Sequence, residues 1–365
     1  MVPEAGLRGR AGDAMIAPCD GRGSRSIMAS EDAGNGNAQL AAGDRPMSVG
    51  VAPGPRHEIR HHGDSREILV IFLINLLFNL LTLTLFRFWA KTRIRRYLWS
   101  HTSVQGEAFE YSGTGGEMFL GFVLALLVLS PIVFLPTLLQ ATRPETEQVR
   151  ILGFQGALTI LLYFFYAMAV YRAQRYRLSR SRWRGVRGTM TGSGAVYSLL
   201  NLFYLVLTWL TFGLFTPFAD IKLWHYRLSH SWFGDKSFAF EGEGGALLPT
   251  LVVCGLLLVP TLGLSWAWYK AALLRHVASR TRLDDLGFAF DARGHHLLLL
   301  VIPNFLMMVF TLGLVYPYVL LRRVRFLCRH VVIVGAQNTS RIGRNTGPYP
   351  RYGEGMADFL GVGGL

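Results

Sequence analysis

A chain of 365 residues could hold two or three soluble domains, yet it is 51% apolar and 13% aromatic with only 16% charged residues. Soluble domains carry about 25% charged residues, so this composition excludes an ordinary soluble globular enzyme. The formal net charge is +14 and 33 of the 37 cations are arginine, which points to nucleic acid or to an anionic membrane surface.

Residues 1–60 contain no Phe, Trp or Tyr and balance seven arginines against seven carboxylates. Such a segment buries too little apolar surface to offset its ordering entropy, so it is expected to be a disordered tail. It has no continuous apolar run and is not expected to be a cleavable secretory signal. The excess positive charge therefore falls after residue 60, in runs beside long apolar stretches, where anionic headgroups are the simpler partner. No nucleic-acid reading motif is present. A membrane domain is expected over 61–340 and a C-terminal tail over 341–365.

Six apolar stretches follow, at about 68–90, 118–140, 151–171, 197–219, 246–269 and 297–321; only the first holds a charge, Arg87. Crossing a hydrocarbon core takes about 20 helical residues, so the count predicts an all-α multi-pass membrane protein of about six apolar helices. The stretches recur with a period. Thr211-Phe212-Gly213-Leu214, Thr261-Leu262-Gly263-Leu264 and Thr311-Leu312-Gly313-Leu314 are each 50 residues apart, as are Phe238-Ala239-Phe240-Glu241 and Phe288-Ala289-Phe290-Asp291. The first stretch joins at an offset of 129, which places Thr82 on Thr211 and His101 on His230. The predicted unit is an apolar helix, a Thr-Leu-Gly-Leu break, a basic aromatic helix and a short alternating strand. Such strands could pair across repeats into a small sheet at the membrane surface.

At the breaks, Gly213, Gly263 and Gly313 lie within apolar runs, and Pro217 and Pro317 follow four residues after the first and last. Proline ends or kinks a helix, and in lipid the freed backbone groups need partners, which Thr82, Thr211, Thr261 and Thr311 could supply. Helix packing and a hinge or broken-helix binding site both fit. Asn75 and Asn304 occupy equivalent places in the stretches, for interhelical hydrogen bonds or for substrate contact. Lys91, Arg93, Arg95 and Arg96, then Arg172, Arg175 and Arg177, then Arg322, Arg323 and Arg325 are interleaved with Tyr, Trp and Phe as headgroup-contacting segments are. His101, His230 and His330 are equivalent; interfacial side chains are the plain reading and a convergent metal or proton site the sharper one. Cys19, Cys254 and Cys328 fit neither a disulfide framework nor a zinc site. No metal, cofactor or catalytic constellation is expected, and the chain does not read as an enzyme.

Asn75…Thr82, Phe88-Trp89-Ala90-Lys91…Arg95-Arg96-Tyr97, the Thr-Leu-Gly-Leu-x-x-Pro pattern and the closing Gly353-Glu354-Gly355-Met356-Ala357-Asp358-Phe359 together resemble the YjgN-like family of bacterial inner-membrane proteins. The resemblance covers about 62–365 and departs at Leu83-Thr84, where Leu-Gly is expected. It implies a multi-pass inner-membrane location and an architecture, without a chemistry. A channel- or carrier-like role for a solute or lipid is the first expectation, and a non-transporting scaffold for anionic lipids or a partner protein the second. A cavity lined by Asn75, Asn304 and the Thr-Gly breaks would favour transport; a sealed Leu/Phe-filled interior would favour the scaffold. Six simple crossings would put equivalent basic segments on opposite faces, so either the repeats alternate in orientation or some stretches re-enter.

Overall fold

The computed structural model describes residues 55–141 and 148–335, without the side chains of 135–152. The chain runs strand, helix, helix, strand five times. The first pass is β1 (Arg56–His61), α1 (Ser65–Leu81), α2 (Arg87–Ser100) and β2 (Thr102–Val104). The second is β3 (Glu107–Tyr111), α3 (Gly115–Ala141), α4 (Gln148–Arg180) and β4 (Ser181–Trp183). The third is β5 (Val186–Met190), α5 (Gly194–Leu210), α6 (Thr216–Ser229) and β6 (Ser231–Phe233). In the fourth, β7 (Lys236–Phe240) leads through a 3-10 turn, Gly244–Leu247, into α7 (Leu248–Leu256), α8 (Trp266–Ser279) and β8 (Thr281–Leu283). The fifth is β9 (Leu286–Phe290), α9 (Gly294–Phe310), α10 (Tyr316–His330) and β10 (Val331–Val334).

The ten strands pair antiparallel, in sequence order, into a closed barrel, with Arg56 opposite Val334 where β1 meets β10. Closure leaves no strand edge unpaired. Consecutive passes are joined by two-residue turns at Gln105-Gly106, Arg184-Gly185, Gly234-Asp235 and Asp284-Asp285. Gln105, Gly106, Arg184 and Gly185 all have positive φ, the mirror-image turn that matches strand twist. All these turns lie at one end of the barrel, so every helix pair leaves from the opposite rim.

Alternation sends Glu58, Arg60, Glu110 and Arg282 to one exposed face and Val104, Phe109, Trp183, Phe233, Phe238, Leu283 and Phe288 to the other. The apolar face is the lumen. Strands two apart are separated by roughly 9–10 Å along a flat sheet. Yet the Trp183 ring on β4 and the Phe233 ring on β6 are 6.2 Å apart, as are Phe238 on β7 and Phe288 on β9. Side chains converge that way only on the concave side.

Above the rim each helix touches the next, except that α6 meets the fourth pair through the 3-10 turn and α8, and α10 touches α1, which closes a ring of helix pairs over the barrel. Polar tethers fix the feet of three of the pairs. The Tyr97 hydroxyl accepts from Asp64 N at 2.8 Å and donates to Asp64 O at 3.0 Å. Tyr226 does the same to Ser193, and His276 Nε2 accepts from Glu243 N at 3.2 Å. Each tether joins the last turn of a basic helix to the start of its own apolar partner.

The fold class read from the sequence is corrected here: the chain is a closed ten-strand barrel carrying helix pairs, and no all-α bundle of six crossing helices. Among the described residues only Gly115–Phe134 and Gly153–Arg180 are long and apolar enough to cross a membrane. The other apolar stretches were counted through a turn. Helices α1, α5 and α9 each stop after 17 residues, about 25 Å, and the chain reverses over five residues. Phe212 and Gly213 have φ of 49° and 89°, Leu262 and Gly263 of 51° and 85°, and Leu312 and Gly313 of 49° and 87°. Left-handed pairs of this kind end a helix and bring the last amide back onto it: Gly213 N donates to Thr208 O at 2.7 Å and Gly263 N to Leu258 O at 2.7 Å.

In the first pair Thr84 holds the glycine position at φ 72°. A β-branched residue there is strained, by about 1–2 kcal/mol. Thr84→Gly is expected to raise the stability of the detergent-solubilised chain by about 1 kcal/mol in thermal unfolding. Gly313→Ala, whose new Cβ would meet nothing within 4 Å, should lower it by about as much through the backbone alone.

Candidate functional site

The polar groups singled out in the sequence fall into two levels of each helix pair, the tip and the foot. At the tips, one threonine bridges the two helices. Thr211 Oγ1 donates to Leu207 O at 2.8 Å and accepts from Phe215 N at 3.0 Å. Thr82 does so to Phe78 O and from Phe86 N, Thr261 to Leu257 O and from Ser265 N, and Thr311 to Met307 O and from Val315 N. Each hydroxyl therefore takes up one amide that the turn leaves without a backbone acceptor, and adds a second bond to a carbonyl that already accepts the threonine's own amide. Pro217 and Pro317 stand in the first turn of α6 and α10, where a missing amide costs nothing. The breaks are reversals of the chain, with Gly213, Gly263 and Gly313 at their ends.

The residues at these tips are the most exposed apolar groups of the described chain. Phe212 is 98% exposed, Leu312 94%, Leu262 92% and Leu83 85%. Full burial of such a side chain is worth about 1.5–3 kcal/mol, so four of them held out in water would be a standing penalty.

At the feet, Asn75 and Asn304 are 1% and 2% exposed. Each accepts from an arginine of its partner helix, Arg93 at 3.4 Å and Arg322 at 3.3 Å. They sit in separate helix pairs, and the structure does not bring them together with the Thr-Gly breaks around one cavity. Trp89, Arg93, Arg96 and Ser100 form the exposed stripe of α2. Arg172, Arg323 and Arg325 are exposed on their helices, while Lys91, Arg175, Arg177 and Arg322 are half-buried. Arg95, read as a headgroup contact, is 1% exposed and donates to the Tyr111 hydroxyl at 3.4 Å; it is a rim residue of the barrel and does not reach lipid. Its position on the inner side of α2 is invisible in a run whose cations, Lys91, Arg93, Arg95 and Arg96, are only one or two residues apart.

His101, His230 and His330 do not converge. Their Nδ1 atoms bond the carbonyls of Tyr97, Tyr226 and Phe326 at 2.8, 2.8 and 2.9 Å, closing the last turn of α2, α6 and α10. Among the described residues no group of three or more His, Cys, Asp or Glu could hold a metal ion. Burial pushes the Cys328 thiol up to about 11, so it stays protonated. Sequence reasoning missed two carboxylate centres. Glu117 accepts from Arg180 at 2.5 Å and from the Tyr176 hydroxyl at 2.6 Å, and Asp220 accepts from the Tyr269 hydroxyl at 3.0 Å and Lys270 at 3.5 Å. The signal was present, because Glu117 and Asp220 directly flank apolar stretches. In the fourth pair an open groove of about 460 Å³ lies between α7 and α8, lined by Cys254, Leu257, Thr261, Ser265 and Trp268 among others. Its hydroxyls are already used: Ser265 Oγ donates to Cys254 O at 2.8 Å.

The family described as "Bacterial protein of unknown function (DUF898)" matches residues 56–261 and 248–359. The chain is similar to the Inner membrane protein YjgN of Escherichia coli (strain K12), 33% identical over 66 residues, which are 18% of this chain and 17% of that protein. Its similarity to the protein of that name from Escherichia coli O157:H7 is 25% identity over 178 residues, 48% of this chain and 42% of the relative. With that from Salmonella typhimurium (strain LT2) it is 29% over 72 residues, 20% and 18%. The matched stretches span less than half the length of these relatives. No solved structure matches. The relatives' name supports an inner-membrane location.

At the rim between the first and last pairs, His61 Nδ1 bonds Thr102 Oγ1 at 2.9 Å. Burial, then Arg325, His101 and His62 in that order, lower its pKa from 6.5 to about 4. The unfolded chain therefore takes up this proton first, and its contribution to stability is lost as pH falls from about 6.5 to 4 and is constant below. Thermal unfolding in detergent should show that slope, and His61→Asn should flatten it.

Proposed function

This chain belongs to the family described as "Bacterial protein of unknown function (DUF898)", and we propose that it is a bilayer-embedded, non-conducting platform of the inner membrane. In this reading the pairs α1–α2, α5–α6, α7–α8 and α9–α10 are copies of one repeat that enter the membrane from one side and turn back within it. The pair α3–α4, with helices of 27 and 33 residues, crosses. The barrel stands in water on the side of entry. The observation that carries the reading is the placement of the four most exposed apolar tips, all on the helix side of the barrel and each beside a threonine whose hydroxyl bonds a carbonyl before the turn and an amide after it. An apolar surface whose polar groups are internally satisfied suits lipid.

The arginines of these pairs lie on the barrel side of Trp89 and Tyr318, as a headgroup layer requires, whereas residues 141–150 balance Arg143 and Arg150 with Glu145 and Glu147. The positive-inside rule then puts the barrel in the cytoplasm. The apolar rings lining the lumen and the burial of Asn75 and Asn304 argue against a path for a polar solute. The channel-like reading keeps one observation in its favour, the closed ring of helix pairs stacked on a barrel, and would need the lumen rings to part as a hydrophobic gate.

Proteoliposomes loaded with a small fluorescent anion and with potassium distinguish the two. The platform predicts release no faster than from protein-free vesicles. Release that rises further when Trp183→Ala and Phe233→Ala widen the lumen would overturn it in favour of a channel.

A further inference from the structure

Elsewhere at the feet of the helix pairs, cations are neutralised by carboxylates, Arg180 by Glu117 and Lys270 by Asp220. Two arginine pairs are held in another way. On α2, Arg93 donates to Oδ1 of buried Asn75, and Arg96 donates to the Gly113 carbonyl at 3.2 Å. On α10, Arg322 donates to Oδ1 of buried Asn304 at 3.3 Å and to Leu299 O at 3.0 Å, and Arg325 donates to the Gly63 carbonyl at 2.8 Å. Every acceptor is a neutral amide or main-chain oxygen. Such partners fix a guanidinium's direction without cancelling its charge. Among the described residues none of these four arginines has a carboxylate partner.

Residues three apart share a helix face, with Cβ atoms roughly 5–6 Å apart, so each pair can offer two guanidinium groups to one phosphate. One turn toward the tip stands an exposed aromatic ring, Trp89 above Arg93 and Tyr318 above Arg322. Aromatic, Arg, Arg at i, i+4, i+7 is an order suited to the boundary between acyl chains and headgroups. The same construction occurs twice, from different sequence and on different helices. In the fourth pair, 50 residues before Asn304 and Arg322, stand Cys254 and Ala272, and only Arg275 remains of the cations.

From this geometry we infer that Arg93–Arg96 and Arg322–Arg325 are two preorganised sites, each for the phosphate group of one anionic lipid headgroup, with Asn75 and Asn304 as positioning residues. The inference rests on the membrane placement of α1–α2 and α9–α10 proposed above. It predicts stoichiometric, tightly held lipid, beyond the diffuse attraction that any basic surface exerts on an anionic bilayer.

The test uses the full chain in nanodiscs of phosphatidylcholine and phosphatidylglycerol, extracted into detergent, with retained lipid counted by native mass spectrometry. The wild-type chain should keep two phosphatidylglycerol molecules. R93Q/R96Q and R322Q/R325Q should keep one each, and the quadruple variant none. Asn75→Asp and Asn304→Asp leave every arginine and its hydrogen bond in place but cancel the charge; each should weaken retention at its own site several-fold, an effect a purely structural role would not give. Arg275→Gln removes one cation from the pair that lacks the asparagine and should change nothing. Unchanged retention in the quadruple variant, or an equal loss with Arg275→Gln, overturns the sites. Displacement of the lipid from the wild-type chain by inorganic phosphate would assign them to a soluble phosphate and overturn the lipid. Carbonate extraction of cell membranes, run on every variant, separates the two levels: loss of bound lipid in a chain that stays in the membrane concerns the arginine pairs alone, whereas extraction of the wild-type chain would fault the membrane placement itself.

Discussion

Ten short strands joined edge to edge leave the chain one exit from the barrel at each strand end. On one side the exits are two-residue turns, too short to hold anything else, so every long excursion must start and finish at the other rim. That single constraint orients all five helix pairs alike. It also removes the conflict that six simple crossings create, in which gaplessly aligned basic segments face opposite sides of the membrane. In the proposed membrane placement, an apolar helix that must return to its own rim has two solutions, to reverse within the bilayer or to cross and come back. The α3–α4 pair has the length for the second and the others for the first.

Reversal inside lipid is costly because water is absent, and an unpaired amide or carbonyl there costs several kcal/mol. The tip chemistry answers this residue by residue. A left-handed pair returns one amide to the end of the first helix, and one threonine hydroxyl takes a carbonyl from that helix and an amide from the next. The side chains that remain, Phe212, Leu262, Leu312 and Leu83, are free to be wholly apolar. Lower down the chemistry inverts: Tyr97, Tyr226 and His276 tie helix feet together, and arginines are turned outward on neutral acceptors.

The threonine as a hydroxyl partner, the alternating strand expected at 238–242 and found at Lys236–Phe240, and the basic aromatic helices were legible in the sequence. The barrel was not, for a physical reason. Four of its strands, such as Thr102–Val104 and Thr281–Leu283, are three residues long, too short for alternation to register, and one partner of each lies a whole helix pair away. Hydropathy over 197–219 reads as one span because Thr-Phe-Gly-Leu is apolar; the reversal resides in backbone angles at Phe212 and Gly213, which composition does not report. Leu83-Thr84 shows that the turn forms even without its glycine, since Thr84 adopts, under strain, the left-handed angle that glycine takes elsewhere. The site residues divide likewise. Asn75 and Asn304 were found by being the polar residues of apolar helices, while the difference between buried Arg95 and exposed Arg96 depends on the helix neighbours.

The most direct test of the account is the sidedness of the barrel. Single cysteines at Ala108, Ser237 and Asp285, all exposed on the barrel, would be placed in a chain lacking Cys19, Cys254 and Cys328 and challenged in intact cells with an impermeant maleimide. The account predicts that all three are protected and label together once the inner membrane is permeabilised. Labelling of Ser237 from outside, with Ala108 and Asp285 protected, would restore six simple crossings and contradict the barrel.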